Sequence, residues 1–256
     1  MIFRGRPAGP PARRGVPQML TAAVMACGVL ISGCSSSSMA EESPDRTQKV
    51  SQAENPAATG SLVATATVDT IQVHGTAGGP VTRTLANPIA SGGPLTFLVI
   101  GEQGDRLQVH LPTRPNGATG WIDAGQVKLT TTPYRLVVSM AEHRLEVLKN
   151  GEKLAEHPVG VGKSTTPTPP GEYYLTELLQ PSDPDGAYGP YAFGISAHSE
   201  TLKKFAGGPG QLGLHGTNEP DRIGTDVSHG CLRLSNEVIT ELAKTLPLGT
   251  PIEIRA

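Results

Sequence analysis

The chain has 256 residues, with 21 Lys and Arg against 23 Asp and Glu and a formal charge of −2. That balance, with no basic patch along the sequence, excludes nucleic acid as a partner. Its 31 glycines and 23 prolines favour turns and short strands over long helices. The first 34 residues do not read as part of a fold. Arg4, Arg6, Arg13 and Arg14 make a basic start, an apolar run occupies residues 19–31, and Ser32, Gly33 and Cys34 close it. The run is too short to cross a bilayer, and the order charged, apolar, small is that of an export signal.

The ending Ile31-Ser32-Gly33-Cys34 resembles the bacterial lipoprotein signal, whose cysteine becomes the lipidated first residue. The resemblance implies loss of residues 1–33 and acyl chains on Cys34. These would anchor the protein to a membrane surface on the extracytoplasmic side, facing the cell wall. An ordinary cleaved signal, with Cys34 a bystander, is the alternative. Of the three cysteines, Cys27 leaves with the signal and Cys34 is modified, so Cys231 remains as a free thiol with no disulfide partner in the chain. Residues 34–60 carry serines, acids and prolines with little apolar content. They cannot bury enough surface to offset chain entropy and read as a flexible tether reaching roughly 30 Å.

Residues 61–130 alternate short apolar runs with turn residues. Strands are predicted near 64–68, 71–74, 95–100, 106–111 and 120–123, separated by glycine- and proline-bearing turns. This spacing predicts a small β-barrel or sandwich and resembles a bacterial SH3-like module, a type that often binds cell-wall material. Trp121, the single tryptophan, is expected to anchor its core, with a ligand platform as the alternative.

The Thr130-Thr131-Thr132-Pro133 segment reads as a boundary before a second unit over residues 133–256. A hairpin is predicted around Asn150-Gly151, with residues 144–149 leading in and 154–161 returning. Residues 162–171 hold too much proline for a ladder and read as a loop, followed by a strand near 173–176 and a long irregular section from 180 to 194. A single helix is predicted over residues 235–246. Ser235 caps it, Val238, Ile239, Leu242 and Leu246 share one face, and Pro247 stops it. A last strand covers residues 251–254. The fold class is mainly β: a small SH3-like barrel, then a β-sandwich-like unit with one helix after the cysteine segment.

Cys231 lies in Ser228-His229-Gly230-Cys231-Leu232-Arg233. A thiol is mostly protonated at neutral pH, so a nucleophilic role needs a histidine within reach. Adjacent His229 would emerge beside the thiol, whereas His215, on a probable neighbouring strand, would face it; His215 is therefore the better base. Gly230 permits a sharp turn before the nucleophile. The N–H groups of Gly230 and Cys231 are candidate oxyanion donors. His215, His229 and Cys231 are also good zinc ligands, with Asp221 or Asp226 as a fourth.

His215-Gly216 followed by Ser228-His229-Gly230-Cys231-Leu232-Arg233 resembles the signature of L,D-transpeptidase catalytic domains. Gly160-Val161-Gly162-Lys163 and residues 166–173 resemble that family's upstream strand and loop. The resemblance implies action on peptidoglycan stem peptides through Cys231, with release of a terminal D-alanine and resolution of a thioester by an amine to give a 3→3 crosslink. It implies that the Gly216 carbonyl orients His215, that His229 shapes the oxyanion site, that no metal or other cofactor is needed, and that carbapenem-type β-lactams acylate Cys231. Water as acceptor would make a carboxypeptidase, and a non-catalytic wall-binding lipoprotein is a further alternative. Tyr188 or Tyr191 in the irregular section is expected to cover the substrate, and His198 to line the pocket wall. Arg233 is expected either to hold a stem carboxylate or to brace the cysteine loop. The oligomeric expectation is a monomer.

Overall fold

The computed structural model describes residues 60–205 and 208–256. The export signal, Cys34 and nearly all of the tether lie outside the described residues.

Seven strands form the first sheet: β1 (Ser61–Ala66), β2 (Thr70–His74), β3 (Val81–Ala86), β4 (Thr96–Gln103), β5 (Arg106–His110), β6 (Thr119–Asp123) and β7 (Val127–Thr132). Their order is β3-β2-β6-β5-β4-β1-β7, and every pairing is antiparallel. The core follows strand alternation: Ile71, Val73, Leu107, Val109 and Ile122 point inward and are buried. Two strands of this sheet, β3 and β7, were not predicted. Both are edges of the sheet, and their Thr-rich faces are mostly exposed, so no apolar alternation marks them. Trp121 is not the core anchor expected of it. Gly120 and Ile122 occupy the buried positions of β6, and alternation turns Trp121 outward to half-exposure.

The second sheet contains β8 (Tyr134–Ser139), β9 (Arg144–Lys149), β10 (Glu152–Pro158), β12 (Gly171–Leu179), β13 (Ala192–His198), β14 (Gln211–His215), β16 (Leu232–Arg233) and β17 (Pro251–Arg255). A separate two-stranded ribbon joins β11 (Val161–Gly162) to β15 (Asp226–Ser228). The order in the large sheet is β10-β9-β8-β17-β12-β13-β14-β16. The β9–β10 turn has the φ angles a type I′ hairpin demands, 53° at Asn150 and 83° at Gly151. The helix α1 (Asn236–Thr245) starts where Ser235 Oγ accepts the N–H of Val238 at 3.3 Å and buries Ile239 and Leu242. Its apolar face closes a core that includes Leu214, Leu232 and Leu234, so the strands carrying the histidine and the cysteine segment are held between sheet and helix.

The loop between β5 and β6 ties the two sheets together. Asn116 donates to the His198 carbonyl and accepts its N–H, both at 2.8 Å. Arg114 donates to the carbonyls of Ser199, Leu202 and Pro209 at 2.7, 3.2 and 3.1 Å. The first sheet thereby fixes both ends of the 199–210 loop, which carries Phe205 to the edge of the cleft.

Candidate active site

Cys231 stands at the end of a tightly bonded turn. Gly230 adopts a φ of 116°, a conformation that L side chains rarely take, and an added Cβ would meet Leu212 Cδ2 at 3.0 Å. Ser228 Oγ accepts the N–H of Gly230 at 3.0 Å and donates to the Cys231 carbonyl at 2.6 Å. The proline-rich loop predicted at residues 162–171 buttresses this turn from outside. Thr168 Oγ1 donates to the Gly230 carbonyl at 2.9 Å and accepts the Gly162 N–H at 2.9 Å. Thr166 Oγ1 and the Lys163 N–H both donate to the Ser228 carbonyl, at 3.2 and 3.1 Å. The three prolines between Thr166 and Gly171 limit the loop's freedom before it docks.

The histidine comes from the adjacent strand, as expected. Strands β14 and β16 run parallel, with Leu214 opposite Leu232 and His215 opposite Arg233, which puts Gly213 beside Cys231. The Gly213 N–H donates to Cys231 Sγ at 3.4 Å. His215 lies two residues farther along β14, on the same face as Gly213. It is buried, and its Nδ1 lies 2.6 Å from the Gly216 carbonyl oxygen. A carbonyl only accepts, so Nδ1 carries the proton and Nε2 is left bare to act as a base. The Tyr188 ring lies 4.8 Å from the His215 ring at 58°, covering it from the loop side.

Burial favours the neutral form of both groups. Burial pushes the His215 pKa down to about 4; the Gly216 carbonyl opposes that shift and the Arg233 charge adds to it. Burial also pushes the Cys231 thiol up, against smaller lowering effects from the Gly213 N–H and Arg233. Both shifts disfavour a thiolate–imidazolium pair. Alkylation of Cys231 by iodoacetamide in the resting protein is therefore expected to accelerate about tenfold per pH unit through pH 8, with no plateau near neutrality. A rate that levels off by pH 6 to 7 would show a preformed ion pair instead.

Cys231 and His215 open into a cleft of about 500 Å³, whose walls include Glu177, Tyr188, Phe193 and Gln211. A smaller cavity of about 240 Å³ meets the same two residues from the side of His229 and Arg233. The structure brings together Cys231, His215, Gly216 and Gly230, and it places His229 at the rim, exposed and stacked on Phe205 with ring centroids 5.4 Å apart. The structure corrects or narrows four expectations. The Gly230 N–H is taken by Ser228 and is not an oxyanion donor, whereas no described residue accepts the Cys231 N–H. Tyr188, not Tyr191, covers the histidine; Tyr191 packs against the core, and its carbonyl accepts the Gly216 N–H at 3.3 Å. His198 is buried at the junction of the two sheets, bonded through its backbone to Asn116, and does not line the cleft. Arg233 Nη1 is held by Glu219 at 2.7 Å, and its backbone exchanges two hydrogen bonds with Gly160, so it braces the cysteine segment. The zinc arrangement does not form among the described residues. No three His, Cys, Asp or Glu side chains converge, and Asp226 is bonded to His143 at 2.8 Å.

Fold and site together define a mainly β protein in which a histidine ends one strand and a cysteine leads into its parallel neighbour, both at the head of a cleft. Residues 133–254 match the family model of the L,D-transpeptidase catalytic domain, YkuD. The chain is 35% identical over 124 residues to a Bacillus subtilis protein named as an L,D-transpeptidase, YkuD, covering 48% of this chain and 67% of that one. It is 33% identical over 154 residues to the protein of the same name from Bacillus licheniformis, covering 57% of this chain and 85% of that one. On this evidence the chain belongs to the L,D-transpeptidase family. A solved structure from Bdellovibrio bacteriovorus is 35% identical, with a TM-score of 0.38; the match covers 48% of this chain and 48% of that one, so it spans about half of that protein's length.

Proposed function

We propose that the protein is a peptidoglycan L,D-transpeptidase with Cys231 as nucleophile. The observation that carries this reading is the shared cleft of Cys231 Sγ and His215, whose Nδ1–H is fixed on the Gly216 carbonyl so that Nε2 is free. Nε2 takes the thiol proton as Sγ attacks the carbonyl of the third residue of a tetrapeptide stem. The developing oxyanion meets the N–H of Cys231, with His229 at the rim. The tetrahedral intermediate collapses, the imidazolium returns its proton to the leaving amine of D-alanine, and a thioester remains on Sγ. A side-chain amine of a second stem, deprotonated by Nε2, then attacks the thioester and forms the 3→3 crosslink.

In this reading residues 133–256 are the catalytic domain and residues 61–130 an SH3-like module. Lipidated Cys34 and the 34–60 tether place both on the extracytoplasmic face of a membrane. The test incubates the protein with tetrapeptide muropeptides and analyses the products by mass spectrometry. Loss of D-alanine with dimer formation is expected. Loss of D-alanine without dimer would make the protein a carboxypeptidase, and neither product would overturn the catalytic reading.

A further inference from the structure

The strand register puts four residues in one row across the sheet: Glu177 on β12 opposite Gly194 on β13, Gly194 opposite Gly213 on β14, and Gly213 beside Cys231. The row has a thiol at one end, a carboxylate at the other and two strands of bare backbone between. The glycines keep this row clear, because a Cβ at either position would press on the groups around it. A Cβ on Gly194 would lie 2.7 Å from both Cγ and Oε1 of Glu177 and 2.8 Å from Nε2 of Gln211. A Cβ on Gly213 would lie 3.1 Å from the Phe193 carbonyl oxygen and 3.7 Å from His215 Cδ2.

The Glu177 side chain thus lies folded over Gly194, pointing along the row toward Cys231. It is half-buried, and it is the one carboxylate lining the cleft among the described residues. No basic side chain among the described residues pairs with it. Beside it, the Gln211 amide nitrogen is committed to Thr176 Oγ1 at 3.0 Å and the Ile195 carbonyl at 3.2 Å, which leaves Oε1 as a second acceptor. A second cavity of about 340 Å³ continues past Glu177 to the 89–96 segment of the first sheet, so the carboxylate stands in an open groove between the two.

We infer that Glu177 binds the side-chain ammonium of the residue whose carbonyl Cys231 attacks, and so selects a diamino acid at that position. The carboxylate lies over one strand and Sγ over the next, which leaves roughly 5–8 Å between them at the usual strand spacing. A carbonyl within about 3.5 Å of Sγ and an ammonium about 2.8 Å from the carboxylate fit that gap when they belong to one side chain. In a diamino acid of lysine length, roughly six bonds separate carbonyl carbon and amine, about 7 Å when extended. The glycine floor between them lets that side chain lie flat on the sheet. An unpaired carboxylate in an otherwise uncharged cleft gives the charged form of the amine a partner that water-filled alternatives lack.

This inference rests on the acyl-transfer reading, and two arms separate their failures. Donor tetrapeptides with lysine or Nε-acetyl-lysine as third residue are compared for release of the terminal residue by the full chain and by Glu177→Gln. The full chain is expected to prefer lysine roughly 10- to 100-fold in kcat/KM, and Glu177→Gln to hold that preference below about threefold. Gly194→Ala, which displaces the carboxyl, should reduce the preference in the same direction. An unchanged preference in Glu177→Gln would overturn the assignment and leave the reaction standing. If the full chain processes neither donor, the reaction reading fails, and labelling of Cys231 still decides the site. In that arm 2-aminoethyl methanethiosulfonate is expected to outpace its 2-hydroxyethyl analogue by a factor that Glu177→Gln removes, and an unaltered ratio would count against a cation site at Glu177.

Discussion

Cys231→Ala is expected to abolish release of the terminal residue from tetrapeptide stems, a fall of about a million-fold if the thiol alone forms the covalent intermediate. Sγ is the one thiol among the described residues, and the hydroxyls that hold its turn are already used. Ser228 Oγ bridges the Gly230 N–H and the Cys231 carbonyl, and Thr168 Oγ1 bridges Gly162 and Gly230. Neither is free to substitute as nucleophile without dismantling the turn that presents position 231. The Cys231 side chain makes one hydrogen bond, from the Gly213 N–H, so its truncation leaves the architecture of the turn unaltered. A variant that folds, binds donor and is inactive is the expected result; retention of more than a few per cent of activity would assign the chemistry elsewhere.

His215→Ala is expected to lower kcat by about a hundred- to ten-thousandfold at neutral pH, the usual range for loss of a positioned general base. The direction of both pKa shifts makes this loss large. Burial raises the Cys231 thiol, so at neutral pH little thiolate exists without a base to take the proton during attack. Burial holds His215 neutral down to about pH 4, so the base is available across the physiological range. In the variant the residual rate should rise about tenfold per pH unit as hydroxide replaces the imidazole, up to the raised thiol pKa. In the wild-type protein the same rise should be absent near neutrality under saturating donor. A variant with wild-type pH dependence would mean that another group, such as His229, supplies the base.

The parts of the fold that show in the sequence are those fixed by local chemistry. Asn150-Gly151 specifies its own turn, and Ser235 with the Ile239–Leu242 spacing specifies the helix. Strands β3 and β7 were missed because an edge strand buries too little to imprint alternation on its residues. Trp121 was misplaced because residue type outweighed register, which gives the inward position to Ile122. The site divides in the same way. Cys231, His215 and the Gly216 carbonyl are legible because they sit in short motifs and act through neighbours in the chain. The loss of the Gly230 N–H to Ser228 depends on a hydroxyl rotamer within the turn. The choice of Tyr188 over Tyr191 depends on the path of an irregular loop. Glu177 was invisible for a stronger reason: its relation to Cys231 exists only through three successive strand pairings, and the glycines that carry it look like ordinary strand interruptions.

The most direct test of the central claim is the mass of the Cys231 peptide from protein trapped during turnover. The full chain is mixed with a tetrapeptide donor in the absence of acceptor, quenched in acid within the first turnovers and digested. The account predicts a mass increment equal to the donor less one molecule of D-alanine, located on the peptide containing Cys231, lost on hydroxylamine treatment and absent from Cys231→Ala. Release of the terminal residue without any adduct on that peptide, or with the adduct on another residue, would contradict it.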